Sequence, residues 1–264
     1  MQWVRDGKAS TGKTMENQGI QVLSRAAHIL RALKADDGGL SLGRIARRVG
    51  LPRSTVQRIV NGLVAERLVM PNVVSGGYQL GPEILSLAQA ARQDVAGALR
   101  PAIQTLSRDT GETVDVSVYR GDGMIFVDQV VGTQRLRTVS AIGETFPLTV
   151  TANGKAALTW LRDGDVARIA ANERRRLGTG KRLRDLRSEI EDTLETGYAL
   201  DLDEHTTGIS AAGIAFRVRG AVYAISIPAP SQRFRIERQA LVEKLLALRT
   251  EIAGALPEAE FQGE

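Results

Sequence analysis

Leu40-Ser41-Leu42-Gly43-Arg44-Ile45-Ala46-Arg47-Arg48-Val49-Gly50-Leu51-Pro52-Arg53-Ser54-Thr55-Val56-Gln57-Arg58 is the stretch on which the fold of this 264-residue chain turns. Ser41 is suited to cap a helix, Leu42, Ile45, Ala46 and Val49 make one apolar stripe, and Gly50 suits the left-handed residue that closes it. Pro52 opens a second helix, where its missing N–H costs nothing. On a helical wheel with Ser54 at zero, Val56, Ile59, Val60 and Leu63 fall at about 200°, 140°, 240° and 180°. Ser54, Gln57, Arg58 and Asn61 fall at about 0°, 300°, 40° and 340°, so the opposite edge is wholly polar and able to read base edges. Two short helices around the turn Gly50-Leu51-Pro52 predict a helix-turn-helix. Arg44, Arg47 and Arg48 stand at i, i+3 and i+4 off the core side, where a phosphate backbone would meet them.

Working outward, Val22, Ala26, Ile29, Leu30 and Leu33 have helical spacing, and Asp36-Asp37-Gly38-Gly39 ends that helix. Downstream, residues 68–70 and 78–80 read as two short strands joined through residues 71–77, with Ser75-Gly76-Gly77 in the turn. This is a wing, with Gly76 and Gly77 expected at a tip lying near a minor groove. Residues 1–18 are polar and aperiodic, which predicts a disordered tail with Met15 as an alternative start.

The charge is unevenly placed: within a net +5, residues 1–81 carry 12 Lys and Arg against 5 acids, and residues 82–264 carry 23 against 25. A small basic unit joined to a larger, nearly neutral one is the layout of a chain that meets a polyanion with one domain only. Hydrophobic residues at 43% and charged ones at 25% suit a packed chain of about two domains and exclude disorder or collagen-like repeats. The longest run free of Asp, Glu, Lys and Arg spans residues 68–82, too short and too broken by Pro and Gly for a membrane helix. The absence of cysteine removes a disulfide framework, a thiolate zinc site and a cysteine nucleophile. No secretory signal is legible, so the cytoplasm is the expected location. His28 and His205 are too few for a histidine-rich metal site.

In the second half, residues 113–119 alternate Val114, Val116 and Val118 with polar partners, Arg120-Gly121-Asp122-Gly123 is a turn, and residues 124–131 form a second strand. Residues 212–218 and 221–227 form another pair around Arg219-Gly220, while residues 153–161, 184–196 and 235–256 have helical patterns. Strands and helices without regular βαβ alternation predict an α+β arrangement, with helices packed on an antiparallel sheet. Residues 82–95, with Ile84, Leu85, Leu87, Ala88 and Ala91 on one side, predict a helix linking the two halves and pairing DNA-binding units.

The quoted stretch resembles the N-terminal domain of IclR-type transcriptional regulators, and the resemblance continues downstream over residues 19–250. Thr110-Gly111-Glu112-Thr113, Pro147-Leu148, Thr151-Ala152-Asn153-Gly154-Lys155-Ala156, Gly197-Tyr198-Ala199-Leu200-Asp201, Glu204-His205, Gly208-Ile209-Ser210 and Ala224-Ile225-Ser226-Ile227 are similar, in order, to that family's effector domain. The resemblance implies a GAF-like curved sheet with a ligand pocket on its concave side, and a ligand-responsive regulator rather than an enzyme, with no cofactor and no metal. Its effector-contacting positions fall on Phe146, Ala152, Asn153, Asp201, Ala211 and Ser226. Thr149 stands where many members carry His, and Ala211 where some carry Cys.

Physically, Phe146 and Leu136 would form an apolar wall, and the helix start at Thr151-Ala152-Asn153-Gly154 a cradle of N–H groups that favours a small carboxylic acid. Asp201 argues the other way, because beside an anion it needs a proton or a hydroxyl partner. The expected division is a tail at 1–18, a winged helix-turn-helix at 19–81, a linker helix at 82–95, an effector domain at 96–256 and a C-terminal tail at 257–264. The DNA-contacting residues expected are Arg53, Ser54, Thr55, Gln57, Arg58 and Asn61 at bases, Arg44, Arg47 and Arg48 at phosphates, and Gly76 and Gly77 on the wing. The expected partners are a pseudo-palindromic double-stranded DNA operator, a small-molecule effector and further copies of the chain, as homodimer or dimer of dimers, with no membrane.

Other chemistries are less well supported. Asp201, Asp203, Glu204 and His205 mix carboxylates with imidazole as a metal cluster does, although a solvated acidic loop is commoner. Gly154-Lys155 lacks the glycine five residues earlier that a P-loop requires. Asp201, His205 and Ser210 contain the letters of a hydrolase triad without its nucleophile elbow. Arg174-Arg175-Arg176 reads as a solvated face, with a second nucleic-acid patch as the alternative. An enzyme with an appended regulatory winged helix, and a ligand-independent nucleic-acid structural protein, are the competing functions.

Overall fold

The computed structural model describes residues 21–36, 38–74, 76–91, 94–121, 123–178 and 181–262, arranged as two compact units, Met1–Ala91 and Arg92–Glu264. The tail expected at 1–18 with Met15, and Asp37, Ser75 and Asp122, lie outside the described residues.

The first unit contains α1 (Gln21–Lys34), α2 (Leu42–Val49), α3 (Arg53–Ala65), the hairpin β1 (Val69–Asn72) and β2 (Gly77–Leu80), and α4 (Glu83–Ala91). Ser41 caps α2 by accepting the Arg44 N–H, and Gly50 closes it at φ +66° while its N–H donates to the Ala46 carbonyl. Pro52 sits one residue before α3 as its N-cap. Ile29, Leu33, Leu40, Ile45, Val56, Val60, Leu63 and Val69 pack into one core, so the stripes expected from the wheel meet inside. Each such residue contributes roughly 1.5–3 kcal/mol by leaving water. Leu40 bridges to β2 by exchanging two backbone hydrogen bonds with Tyr78, at 2.9 and 2.8 Å.

The second unit is built on one sheet in the order β5-β4-β3-β8-β7-β6, with every neighbour antiparallel. Its strands are β3 (Val114–Arg120), β4 (Gly123–Val130), β5 (Thr145–Phe146), β6 (Ala199–Leu202), β7 (Ile209–Val218) and β8 (Ala221–Pro230). Helices α5 (Asp94–Thr110) and α9 (Ser231–Ala255) share a core with Val114, Val116, Ile214, Phe216 and Ile225. Helices α6 (Ala152–Leu158), α7 (Asp163–Leu177) and α8 (Leu183–Thr196) share a second core with Ala215, Val222 and Ala224. These sets alternate along the strands, as a sheet packed on both faces requires. Among the described residues, no helix is long and apolar enough to cross a membrane.

One expectation changes, and two helices were not legible in full. Of the helix expected over 82–95, α4 covers Glu83–Ala91 and the first residues of α5 cover Asp94 and Val95, while Arg92 and Gln93 lie outside the described residues; the length of α5 is hidden in the sequence because Pro101 lies inside it. The C-terminal tail contains β9 (Glu260–Phe261), which pairs with β7 and places the Phe261 ring 5.9 Å from Phe216. A two-residue strand is too short to show a period. Helix α7 is equally hidden: its Arg-rich last turn follows a strongly polar sequence, and among the residues whose burial is described only Val166, Ile169, Ala170 and Glu173 are buried.

Candidate functional site

In the first unit the polar edge of α3 faces outward: Arg53, Ser54, Gln57, Arg58 and Asn61 are exposed and Thr55 is half-buried, while Val56, Ile59, Val60 and Leu63 are buried. On α2, Arg44 and Arg48 share the carboxylate of Asp36 at 3.2 and 3.6 Å, and Arg48 also donates to the Ala32 carbonyl at 3.2 Å. Arg47 is exposed and has no ion pair among the described residues. The three arginines thus differ: Arg47 is immediately available to a phosphate, and the other two are held over the α1–α2 corner by one acid.

Gly76 is exposed at φ +66°, as a wing tip requires. Gly77 is buried, because a Cβ there would lie 2.7 Å from the Leu40 carbonyl carbon. Its smallness serves the bridge to Leu40 and leaves no surface for a groove, which corrects its expected place at the tip. Val73 and Val74, which carry no turn signal of their own, are 96% and 94% exposed instead.

In the second unit a cavity of about 220 Å³ opens between the start of α6, strands β3, β8, β7 and β6, and residues 138–146. Phe146, Ala152, Asn153, Asp201, Ala211 and Ser226, from five different elements, all line it. Thr151 caps α6 by accepting the Gly154 N–H at 3.1 Å, and Asn153 donates to Ser117 Oγ at 3.0 Å, which fixes its amide against the sheet. Gly154 itself does not line the cavity. Its N–H is taken by Thr151 and Asn153, and a Cβ would lie 2.5 Å from the Leu148 Cα, so its role is close packing. Leu136 is also outside, 68% exposed on the loop before β5, where its carbonyl accepts from Arg233. Its apolar side chain alone had placed it in the wall.

Aromatic rings form one wall: Phe146 packs edge-on to Phe126 at 4.7 Å and lies 4.4 Å from the His205 ring at 33°. Burial lowers the His205 pKa, which favours neutral imidazole beside these rings. Polar groups close the ends. Burial pushes Asp201 up to about 6, against the hydrogen bonds its carboxylate accepts from the Glu204 and His205 backbone N–H groups at 2.9 and 3.4 Å. Asp115 is pushed up to about 7 by burial, although Gln129 donates to it at 2.6 Å and Ser140 at 3.4 Å. No lysine or arginine stands among the described residues of the lining.

Asp115, Glu144, Ser140 and His205 line the cavity without having been expected there from sequence. For Asp115 the signal was present: the polar half of the Val114-Asp115-Val116-Ser117-Val118 alternation reads as a solvent face but is turned into the cavity. Glu173 on α7 is a second unexpected residue. It is 2% exposed and accepts from the backbone N–H groups of Leu148 and Thr149 at 2.6 and 3.0 Å and from Thr149 Oγ1 at 2.6 Å, holding the turn that precedes α6.

The letters of the other chemistries are not brought together. Glu204 pairs with Lys155 and Lys181, at 2.8 and 2.7 Å, and Asp203 accepts from Ser231 Oγ, so these acids do not converge with His205. Among the described residues no group of three or more His, Cys, Asp or Glu is placed to hold a metal ion. Ser210 Oγ donates to Ser231 Oγ, which in turn donates to Asp203, and His205 Nδ1 meets Thr206 Oγ1.

Residues 22–72 match the IclR helix-turn-helix domain, and residues 87–253 match the C-terminal domain of bacterial IclR transcriptional regulators. The chain belongs to the IclR family. IclR relatives along its length include the HTH-type transcriptional regulator Rv1719 of Mycobacterium tuberculosis, 45% identical over 87% of this chain and 90% of the relative. The HTH-type transcriptional regulator TtgV of Pseudomonas putida is 35% identical over 91% of this chain and 93% of its own length. The fold of this chain is shared by an IclR homologue from Microbacterium hydrocarbonoxydans complexed with 4-hydroxybenzoate, with a TM-score of 0.75 at 17% identity over 89% of this chain and 99% of that one. This IclR protein is therefore a DNA-binding transcriptional regulator with an effector-binding C-terminal domain, and not an enzyme.

Proposed function

We propose that this regulator binds a pseudo-palindromic operator as a homodimer or dimer of dimers in the cytoplasm, and that a small planar metabolite in the C-terminal cavity changes that binding. The observation that carries the DNA half is the division of α3 into a sealed apolar edge and an outward edge of Arg53, Ser54, Thr55, Gln57, Arg58 and Asn61. Bidentate side chains on such an edge read bases in a major groove, while Arg44, Arg47 and Arg48 neutralise phosphates. The ring pair Phe146 and His205 supports a flat ligand, and the relative holding 4-hydroxybenzoate has the same fold around its own. A small carboxylic acid would face Asp115, Glu144 and Asp201 with no cation in the described lining, so it enters only with a proton of its own or one on the protein. An effector that binds one arrangement of the effector domains better than another shifts operator affinity by that difference, typically about 1–3 kcal/mol.

Mobility-shift titration of promoter fragments tests this reading. The purified protein is expected to retard a fragment carrying its operator and to change affinity several-fold with ligand; indifference to every promoter fragment, with and without metabolites, rejects it. Arg58→Ala should cost about 1–3 kcal/mol at particular base pairs. Arg47→Ala should instead weaken all sequences alike and flatten the plot of log affinity against log salt by about 0.9, the slope of one phosphate no longer neutralised. An unaltered salt slope removes Arg47 from the groups that meet the DNA backbone.

A further inference from the structure

Asp115 is a buried acid, only 2% exposed, that lines the cavity with no lysine or arginine among the described lining residues. It lies on β3 opposite Ser226 of β8, whereas Asp201 lies on β6 opposite Ala211 of β7. In the strand order β3-β8-β7-β6 the two acids stand on strands three steps apart, about 14 Å at the usual inter-strand spacing, and two residues out of register, because Ser226 pairs with Gly213 and Gly213 with Ala199. Ser226 and Ala211 lie between them, so the cavity has an acid at each end. A carboxylate offers about four acceptor positions, and Asp115 uses two, for Gln129 Nε2 and Ser140 Oγ. The remaining positions are open to a donor hydrogen on whatever enters the cavity.

We infer that Asp115 selects effectors that present a hydroxyl or amine hydrogen at the β3 end of the cavity, and rejects those that present an anion or a capped oxygen there. The inference rests on the cavity being the site of a small planar ligand. An anion at that end has no lysine or arginine in the described lining to neutralise it, and against the ionised Asp115 an ether oxygen leaves a buried carboxylate facing another acceptor, the arrangement that makes built polar sites discriminate strongly. A donor hydrogen is satisfied by Asp115 in either protonation state, whereas an ether oxygen is satisfied only by the protonated carboxyl, so the selection is exerted by the carboxylate. Glu144, Asp201 and His205 face the same space from other elements, and none of them lies on β3.

Calorimetric titration of the full-length protein at pH 8 with 4-hydroxybenzamide and its methyl ether, 4-methoxybenzamide, tests the selection. The wild type is expected to bind the hydroxyl compound at least tenfold more tightly. Asp115→Val, which keeps a strand-forming side chain but no acceptor, should reduce that ratio to within about twofold, and Asp115→Asn, which keeps one acceptor oxygen, should leave an intermediate ratio. Should Asp115→Val fail to fold, the Asn variant decides the matter on its ratio alone. A wild-type ratio in the variant, or a wild type that prefers the ether, overturns the selection by Asp115 while leaving the planar-ligand reading in place. A wild-type protein that retards its operator but binds neither ring compound overturns both.

Discussion

Replacing Glu173 by alanine should lower the stability of the second unit by about 3–5 kcal/mol, the scale set by leaving two or three buried donors without a partner. Glu173 is 2% exposed and its two oxygens take the N–H groups of Leu148 and Thr149 and the Thr149 hydroxyl. Leu148 and Thr149 are themselves buried, so water offers little replacement. At the usual slope of about 2–4 °C per kcal/mol for a unit of this size, the melting temperature should fall by about 10 °C. Glu173→Gln keeps one acceptor and should lose roughly half as much. The cavity should suffer as well, because Thr151, Ala152 and Asn153 follow directly from the turn that Glu173 holds. Thermal or urea unfolding of the variant at the wild-type midpoint would show that the turn stands without its carboxylate.

The second large effect is on the pH dependence of stability. Burial raises Asp115 from 3.8 to about 7, so between those values the unfolded chain has released a proton that the folded chain still holds. The folded state is then penalised as pH rises: the cost begins near pH 4, grows to about 4 kcal/mol near pH 7 and is constant above it. Asp115→Asn has no proton to lose. The variant and the wild type should therefore unfold at similar denaturant concentrations near pH 4, and the variant should be the more stable by up to about 4 kcal/mol at pH 8. Asp201 and His205, the other shifted groups of the lining, titrate in both proteins and largely cancel in the difference. A gap between the two proteins that is the same at pH 4 and pH 8 would mean that Asp115 ionises without strain.

The first unit was almost wholly legible in the sequence, because its short helices carry their own punctuation. Ser41, Gly50 and Pro52 mark ends by local backbone chemistry, and the apolar stripes of α2 and α3 are complete between Leu42 and Leu63. The second unit was legible in part. Its long strands alternate, but β5 and β9 have two residues each, below any detectable period, and α5 contains Pro101, a residue that ordinarily ends a helical reading. The cavity shows the same limit at the level of single side chains. Asn153, Asp201 and Ser226 were found through the family pattern, whereas Asp115 looked like the solvent half of a strand and Glu173 like part of a charged helix. Burial of a polar side chain is decided by what packs over it, and the partners of Glu173 are 24 and 25 residues away in sequence. Leu136 is the converse case, an apolar residue left largely in solvent.

The wing is fastened to the chain leading into α2 at Leu40 and Tyr78, and again where Asn72 Nδ2 reaches the Gly38 carbonyl at 3.3 Å. Hairpin and helices thus behave as a stiff caliper whose span is set before any duplex is met, and docking freezes out little chain freedom. A rigid gauge cannot adjust to a poorly spaced site. The duplex has to bend instead, so two operators with identical contacted bases should differ in occupancy according to the stiffness of the steps between them.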